Sequence, residues 1–140
     1  MKLMIDTNVL LDVLADRRPF AEDSSIIWKL CETSEAEGMI SSLSFANMMY
    51  VLRKHINKDD AADMMTTLSL IFQFKPLNQE ILYAAAACKW DDYEDAIQFV
   101  TALVNDADYI VTRDKTGFRD SLIPAITPHE LVGKYRDAFS

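Results

Sequence analysis

Cysteine is scarce in this chain: Cys31 and Cys88 stand far apart, with no CxxC and no neighbouring histidine pair. That spacing argues against a zinc site or a disulfide framework and for reduced thiols in a core. With three glycines and four prolines, the sequence has no Gly-rich or Ser-rich linker, no internal repeat and no low-complexity segment. It also lacks a Gly-rich phosphate loop and a GxSxG element, and it holds two histidines. Nucleotide-triphosphate hydrolysis and acyl transfer therefore miss their usual parts. His55 and His129 read as surface or packing residues. No apolar run is long enough to span a bilayer, and none precedes Asp6, so we expect no signal peptide, no membrane contact and a cytoplasmic protein. Positive charge is in deficit, 14 Lys and Arg against 22 Asp and Glu, for a net charge of −8. That balance is wrong for clamping nucleic acid by charge alone, unless the acids gather at a cation that reverses the local field.

What is present is 140 residues, half of them hydrophobic, enough for one domain, 1–140, with its own core. The chain is organised around Lys2-Leu3-Met4-Ile5-Asp6-Thr7-Asn8-Val9-Leu10-Leu11-Asp12, where a strand-like apolar run meets an acid. Val9, Leu10, Val13 and Leu14 then follow with helical spacing. A helix is expected from about Phe20 to Ala36, opened by Pro19 and ended by Gly38. Met39 to Ser42 reads as the second strand, and Ser42 or Ser44 caps a helix carrying Phe45, Met48, Met49, Val51 and Leu52. Another helix follows Asp59 and Asp60. Phe72 to Leu77 forms a short edge strand, and Asn78 caps a helix over Ile81 to Cys88. A helix then starts within Asp91 to Asp95, a strong strand covers Asp108 to Thr112, and a last short strand covers Pro124 to Thr127. Pro128 opens the final helix. Alternating strands and helices imply an α/β fold with a mostly parallel sheet covered on both faces.

Three groups of acids fall just past a strand or at the start of a helix: Asp6; Asp92, Glu94 and Asp95; and Asp114. Each has a local explanation, since Asp6 suits a helix cap, Asp92 with Asp95 resembles a capping box, and Asp114 sits in a polar turn. If the strands before Asp6 and Asp114 are neighbours, however, the carboxylates converge on the strand ends where ligands bind in open α/β sheets. Converging carboxylates repel, and a hard divalent cation such as Mg²⁺ or Mn²⁺ relieves that repulsion. The chemistry such a site supports is metal-assisted phosphodiester hydrolysis.

The segments Met4-Ile5-Asp6-Thr7-Asn8-Val9-Leu10-Leu11-Asp12, Asp92-Tyr93-Glu94-Asp95-Ala96-Ile97-Gln98 and Tyr109-Ile110-Val111-Thr112-Arg113-Asp114-Lys115 with Phe118 resemble the PIN domain family. They occur in the family's order and span nearly the whole chain. The resemblance implies a Rossmann-like three-layer sandwich and a ribonuclease dependent on Mg²⁺ or Mn²⁺, commonly the toxin of a VapC-type toxin–antitoxin pair. By position, Asp6, Asp95 and Asp114 correspond to the metal-binding acids, with Thr112 supporting them. One position departs: Ala46-Asn47-Met48-Met49-Tyr50 has Asn47 where many members have Glu. A neutral amide removes one charge, and Glu94 or Asp92 are the carboxylates near Asp95 that would replace it.

The leading expectation is a metal-dependent endoribonuclease acting without a side-chain nucleophile, its RNA guided by Arg53, Lys54, Arg113, Lys115 and Arg119. Met- and Phe-bearing helices offer surfaces for a homodimer or an antitoxin. The rivals are a PIN-like protein that binds RNA or protein without cutting, motivated by Asn47, and a phosphatase of the haloacid dehalogenase type. The latter needs a second Asp two residues after the first, and position 8 is Asn.

Overall fold

The computed structural model describes residues 1–138. In chain order the elements are β1 (Lys2–Ile5), α1 (Thr7–Leu14), α2 (Phe20–Glu32), β2 (Glu37–Ser41), α3 (Ser42–Leu52), α4 (Lys58–Ile71), β3 (Gln73–Lys75), α5 (Gln79–Cys88), α6 (Tyr93–Val104), β4 (Tyr109–Val111), β5 (Ala125–Ile126) and α7 (Pro128–Ala138). A short 3₁₀ turn at Lys115–Phe118 lies between β4 and β5. The strands form one sheet in the order β3-β2-β1-β4-β5, and every pairing is parallel. β1 sits at the centre, with Leu3 opposite Gly38 on one side and Tyr109 on the other.

Successive strand residues point to opposite faces, and here both faces are buried. Leu3, Ile5, Ile40, Val111 and Ile126 join one core with Val9 and Leu10 of α1, Ile27 and Leu30 of α2, and Leu131 and Val132 of α7. Met4, Met39 and Ile110 turn the other way, to Ile81 and Ala85 of α5 and to α6. Residues Ala96 to Ala102 of α6 are buried without interruption, so this helix is the centre of its layer. A mostly parallel three-layer sandwich is what results, because runs such as Leu-Met-Ile leave neither face of the strand fit for water.

Several boundaries differ from expectation. α2 stops at Glu32, after which Thr33 and Ser34 turn the chain, Ser34 with φ 62°. Gly38 does not end a helix but lies inside β2. A Cβ there would meet Cys31 Sγ and a Phe72 ring carbon at 2.7 Å, so the residue admits close packing of α2 and the end of α4 onto the strand. α3 starts after Ser41, and no serine side chain caps it. β3 is confined to Gln73–Lys75 and does lie at the sheet edge. Cys31 is buried, whereas Cys88 is only half-buried. Among the described residues, no helix is long and apolar enough to cross a membrane.

Candidate functional site

The parallel pairing of β1 with β4 sets Ile5 beside Val111, so the residues that follow, Asp6 and Thr112, emerge together at the carboxyl edge of the sheet. The Asp6 N–H donates to the Val111 carbonyl at 2.9 Å, continuing the ladder by one step. Asp6 is also the α1 cap, its Oδ1 accepting from the Asn8 N–H at 3.3 Å. Its other oxygen accepts from the Thr112 hydroxyl at 2.8 Å. The Thr112 oxygen in turn accepts the Asp114 N–H at 3.1 Å, and Asp114 Oδ1 accepts the Thr116 N–H at 3.1 Å. One buried threonine thus fixes both strand-end acids, which gives Thr112 a physical role as their spacer.

From the opposite layer, α6 presents its first turn to the same edge. Asp92 caps it, its Oδ1 accepting the Asp95 N–H at 3.0 Å, as the capping-box reading expects. Asp95 is held well above the ordinary carboxylate range, at about 6, first by burial and then by the charges of Asp92, Asp6, Glu94 and Asp114. Burial also raises the Asp6 carboxyl. The Thr112 and Asn8 hydrogen bonds oppose that rise, and Glu94 adds to it while Arg113 works against it. Asp95 feels the charge of all four other acids, which places the five in one electrostatic neighbourhood. Among the described residues, none of Asp6, Asp92, Glu94, Asp95 and Asp114 forms an ion pair with a base.

An all-carboxylate donor set without matching bases suits a hard divalent cation in kind. Asp6, Asp95 and Asp114 are the residues that would hold it, with Asp92 and Glu94 alongside. Among the described residues, no three His, Cys, Asp or Glu side chains are gathered into a complete ion cage. Repulsion between like charges keeps such groups apart until a cation lies between them. Next to the acids, a cavity of about 580 Å³ is lined by Asp91, Asp92, Asp114, Asp120, Trp90 and Arg119, among others.

The remaining sequence candidates fall in different places. Asn47 is exposed on α3, and its side chain makes no hydrogen bond among the described residues. Arg53 caps the end of α3, and Lys54 Nζ lies 5.2 Å from the Tyr50 ring centroid, so neither is joined to the acids by a described contact. Lys115 is engaged by Glu130 at 2.8 Å. Arg119 is exposed at the cavity wall. Arg113 packs its guanidinium over the Phe20 ring, 4.1 Å from the centroid, and sets Nε 2.8 Å from Asp12 Oδ2.

Two residues escaped the sequence reading. Asp12 is fully buried, 0% exposed, between Arg113, Ser24 Oγ at 3.4 Å and Arg17 Nη1 at 3.9 Å. The available signal was an acid three residues after Val9, on the apolar stripe of α1. Gly117 faces Asp95: a Cβ at that position would stand 2.6 Å from Asp95 Oδ2. The only signal for it was a lone glycine three residues past Asp114.

The PIN domain family model matches residues 2–116. No curated protein matches the chain. Among solved structures, the chain is similar to a toxin-antitoxin complex from Klebsiella pneumoniae, with TM-score 0.70 and 22% identity over 91% of this chain and 98% of that one. It is similar to FitAcB from Neisseria gonorrhoeae, with TM-score 0.68 and 17% identity over 91% and 98% of the respective chains. It also resembles VapBC2 from Rickettsia felis bound to a DNA fragment from their promoter, with TM-score 0.66 and 13% identity over the same shares, 91% and 98%.

Proposed function

The chain belongs to the PIN domain family, whose members are generally nucleases, and from that premise we propose that it is a metal-dependent endoribonuclease hydrolysing RNA phosphodiester bonds. The observation that carries this reading is the set of five acids at the sheet edge, in which burial and the charges of the other four hold Asp95 at about 6, and none of which forms an ion pair with a base among the described residues. Such a set costs free energy unless a cation compensates it, and hydrolytic metal sites are the common use of that arrangement. Asp6, Asp95 and Asp114 hold Mg²⁺ or Mn²⁺, with Glu94 or Asp92 completing the charge that Asn47 does not supply. A cation held there would supply Lewis-acid stabilisation of the phosphate and lower the pKa of water, so that hydroxide is available as the nucleophile.

The chain's own residues set the geometry. The Thr112 hydroxyl and the Asn8 N–H each hold one Asp6 oxygen, which fixes the carboxylate at the edge. Gly117 keeps space beside Asp95, whose raised pKa means that it loses its proton near pH 6 and is ready for a cation above that. Arg119 and Lys89 are the bases that meet RNA phosphates from the cavity wall. We further propose that the protein acts in the cytoplasm as one domain, as a homodimer, and as the toxin partner of an antitoxin. Exposed apolar residues on α3 and α4, Tyr50, Val51, Met65 and Leu70, are the surface that favours a protein partner.

The test is cleavage of a structured RNA pool in Mg²⁺, Mn²⁺ and EDTA by wild type and Asp95→Asn. Cutting that needs metal and falls at least about a hundredfold in the variant supports the nuclease. A second reading, RNA or protein binding without cleavage, is favoured by the neutral, unbonded Asn47. It wins if wild type binds RNA but cuts nothing in either metal.

A further inference from the structure

A second cavity, of about 340 Å³, adjoins the acid edge on the side away from α6. It is lined by Pro19, Phe20, Asp23, Arg113, Thr127, Pro128 and His129. Arg113 joins it to the site already described, because Arg113 sits between Thr112 and Asp114. The guanidinium is fixed from two directions, by the Phe20 face and by the charge of buried Asp12. Its Nε–H is nonetheless off the line to the carboxylate, and among the described residues Arg113 donates no hydrogen bond. With Nε buried against Asp12, the Nη groups of this rigid planar cation are the donors left for an oxygen-rich anion, phosphate above all. Beside it Phe20 is 43% exposed, although a large ring at the first position of a helix need not be. Asp23 is the one acid in the lining, and it is offset by the His129 ring, whose Nδ1 lies 2.9 Å from its Oδ2. The cavity therefore pairs a cation with apolar flat surface and a single acid, where the cavity on the other side of the acids sets Lys89 and Arg119 against four aspartates, Asp91, Asp92, Asp114 and Asp120.

We propose that this second cavity binds one nucleotide of a single-stranded RNA substrate, its phosphate on Arg113 and its base against Phe20. The assignment rests on the ribonuclease reading of the neighbouring acids and names the subsite next to the cut. Base stacking on an aromatic ring is tolerant of sequence, so the cavity holds the strand in place rather than choosing the base. Proline rings at positions 19 and 128 bound the slot without offering amide donors. Asp12 is then a positioning residue, because it keeps Arg113 at the junction between the acids and the slot.

The test is anisotropy of a fluorescein-labelled single-stranded RNA of mixed sequence with the full chain in EDTA, where neither cleavage nor metal enters. Phe20→Ala is expected to weaken binding roughly tenfold, and Phe20→Tyr to bind as wild type. His129→Glu, at an exposed position in the first turn of α7, removes the Asp23 contact and adds a second acid to the slot, and is expected to weaken binding several-fold in a chain whose melting curve still shows it folded. Phe20→Ala binding within twofold of wild type overturns the proposal, as does wild type that binds no RNA. If Phe20→Ala does not fold, His129→Glu decides by the same threshold. A protein that binds RNA through Phe20 but never cuts keeps this slot and removes the nuclease. One that cuts RNA with a KM untouched by Phe20→Ala keeps the nuclease and removes the slot.

Discussion

Asp6 and Asp12 stand at the two ends of one short helix, both withdrawn from water, and the structure treats them in opposite ways. Asp12 is the more buried, and it meets Arg113, Arg17 and the Ser24 hydroxyl. Asp6 bonds a threonine hydroxyl and feels the charges of Glu94 and, from a distance, Arg113, with no ion pair to a base among the described residues. A buried acid with a base beside it holds two elements together, here α1 and the segment after β4. A buried acid among acids can cap a helix, as Asp6 does, but its charge is explained by something that arrives later. Burial alone does not separate a structural carboxylate from a functional one. The charge of its neighbours does.

The largest effect should fall on the structural side of that comparison. Asp12→Ala leaves the Arg113 charge half-buried without its partner and is expected to cost about 3–5 kcal/mol, read by urea unfolding. If it costs less than about 1 kcal/mol, the pair is incidental and the contrast with Asp6 dissolves. Next comes the effect of metal and pH on the functional side. The folded-state pKa of Asp95, about 6, lies above its ordinary 3.8, so the folded chain holds the extra proton between those values. Stability of the metal-free protein should therefore fall as pH rises from about 4 to about 6. Mn²⁺ at a hundred times its dissociation constant should add about 2.7 kcal/mol at pH 7 and about half of that at pH 5, measured by thermal melting. Equal protection at both pH values would mean that the ion binds elsewhere.

Smaller again is Gly117→Ala. A methyl group 2.6 Å from Asp95 Oδ2 must displace the carboxylate, at a cost of about 1–3 kcal/mol, and metal affinity should drop with it. Calorimetry of both quantities checks this, and unchanged affinity would remove Asp95 from the metal set. The smallest expected change in stability is that of Asn47→Glu, within about 0.5 kcal/mol because the position is exposed. Its Mn²⁺ affinity should rise by up to about tenfold, since ligand charge tunes affinity at oxygen sites. A flat result would show that position 47 stays clear of the ion.

Much of this was legible in the sequence, for identifiable reasons. Parallel strands buried on both faces read as unbroken apolar runs, so Leu3 to Ile5 and Tyr109 to Val111 stood out, and the acids after them with equal clarity. The Asp92 cap is local, encoded within four residues. What the sequence did not carry was adjacency: β1 and β4 are neighbours only because the chain crosses over between them. Asp12 was opaque for the same cause, since its partner Arg113 lies near the other end of the chain. Gly38 misled because a glycine after a helix usually ends it, whereas this one makes room for Cys31 and Phe72. Arg113 was read as an RNA contact, but the wall it shares with Phe20 and His129 exists only once α2 and α7 pack together.

The central claim is that Asp6 serves a cation and Asp12 serves the fold. It is tested most directly by titrating Mn²⁺ into wild type, Asp6→Asn and Asp12→Asn by calorimetry, with an unfolding curve for each. Asp6→Asn should lose Mn²⁺ binding by at least about tenfold while its metal-free stability holds or rises, because an uncompensated buried charge has been removed. Asp12→Asn should keep the affinity and lose stability. The reverse pattern, with metal binding lost in Asp12→Asn and kept in Asp6→Asn, would contradict the account.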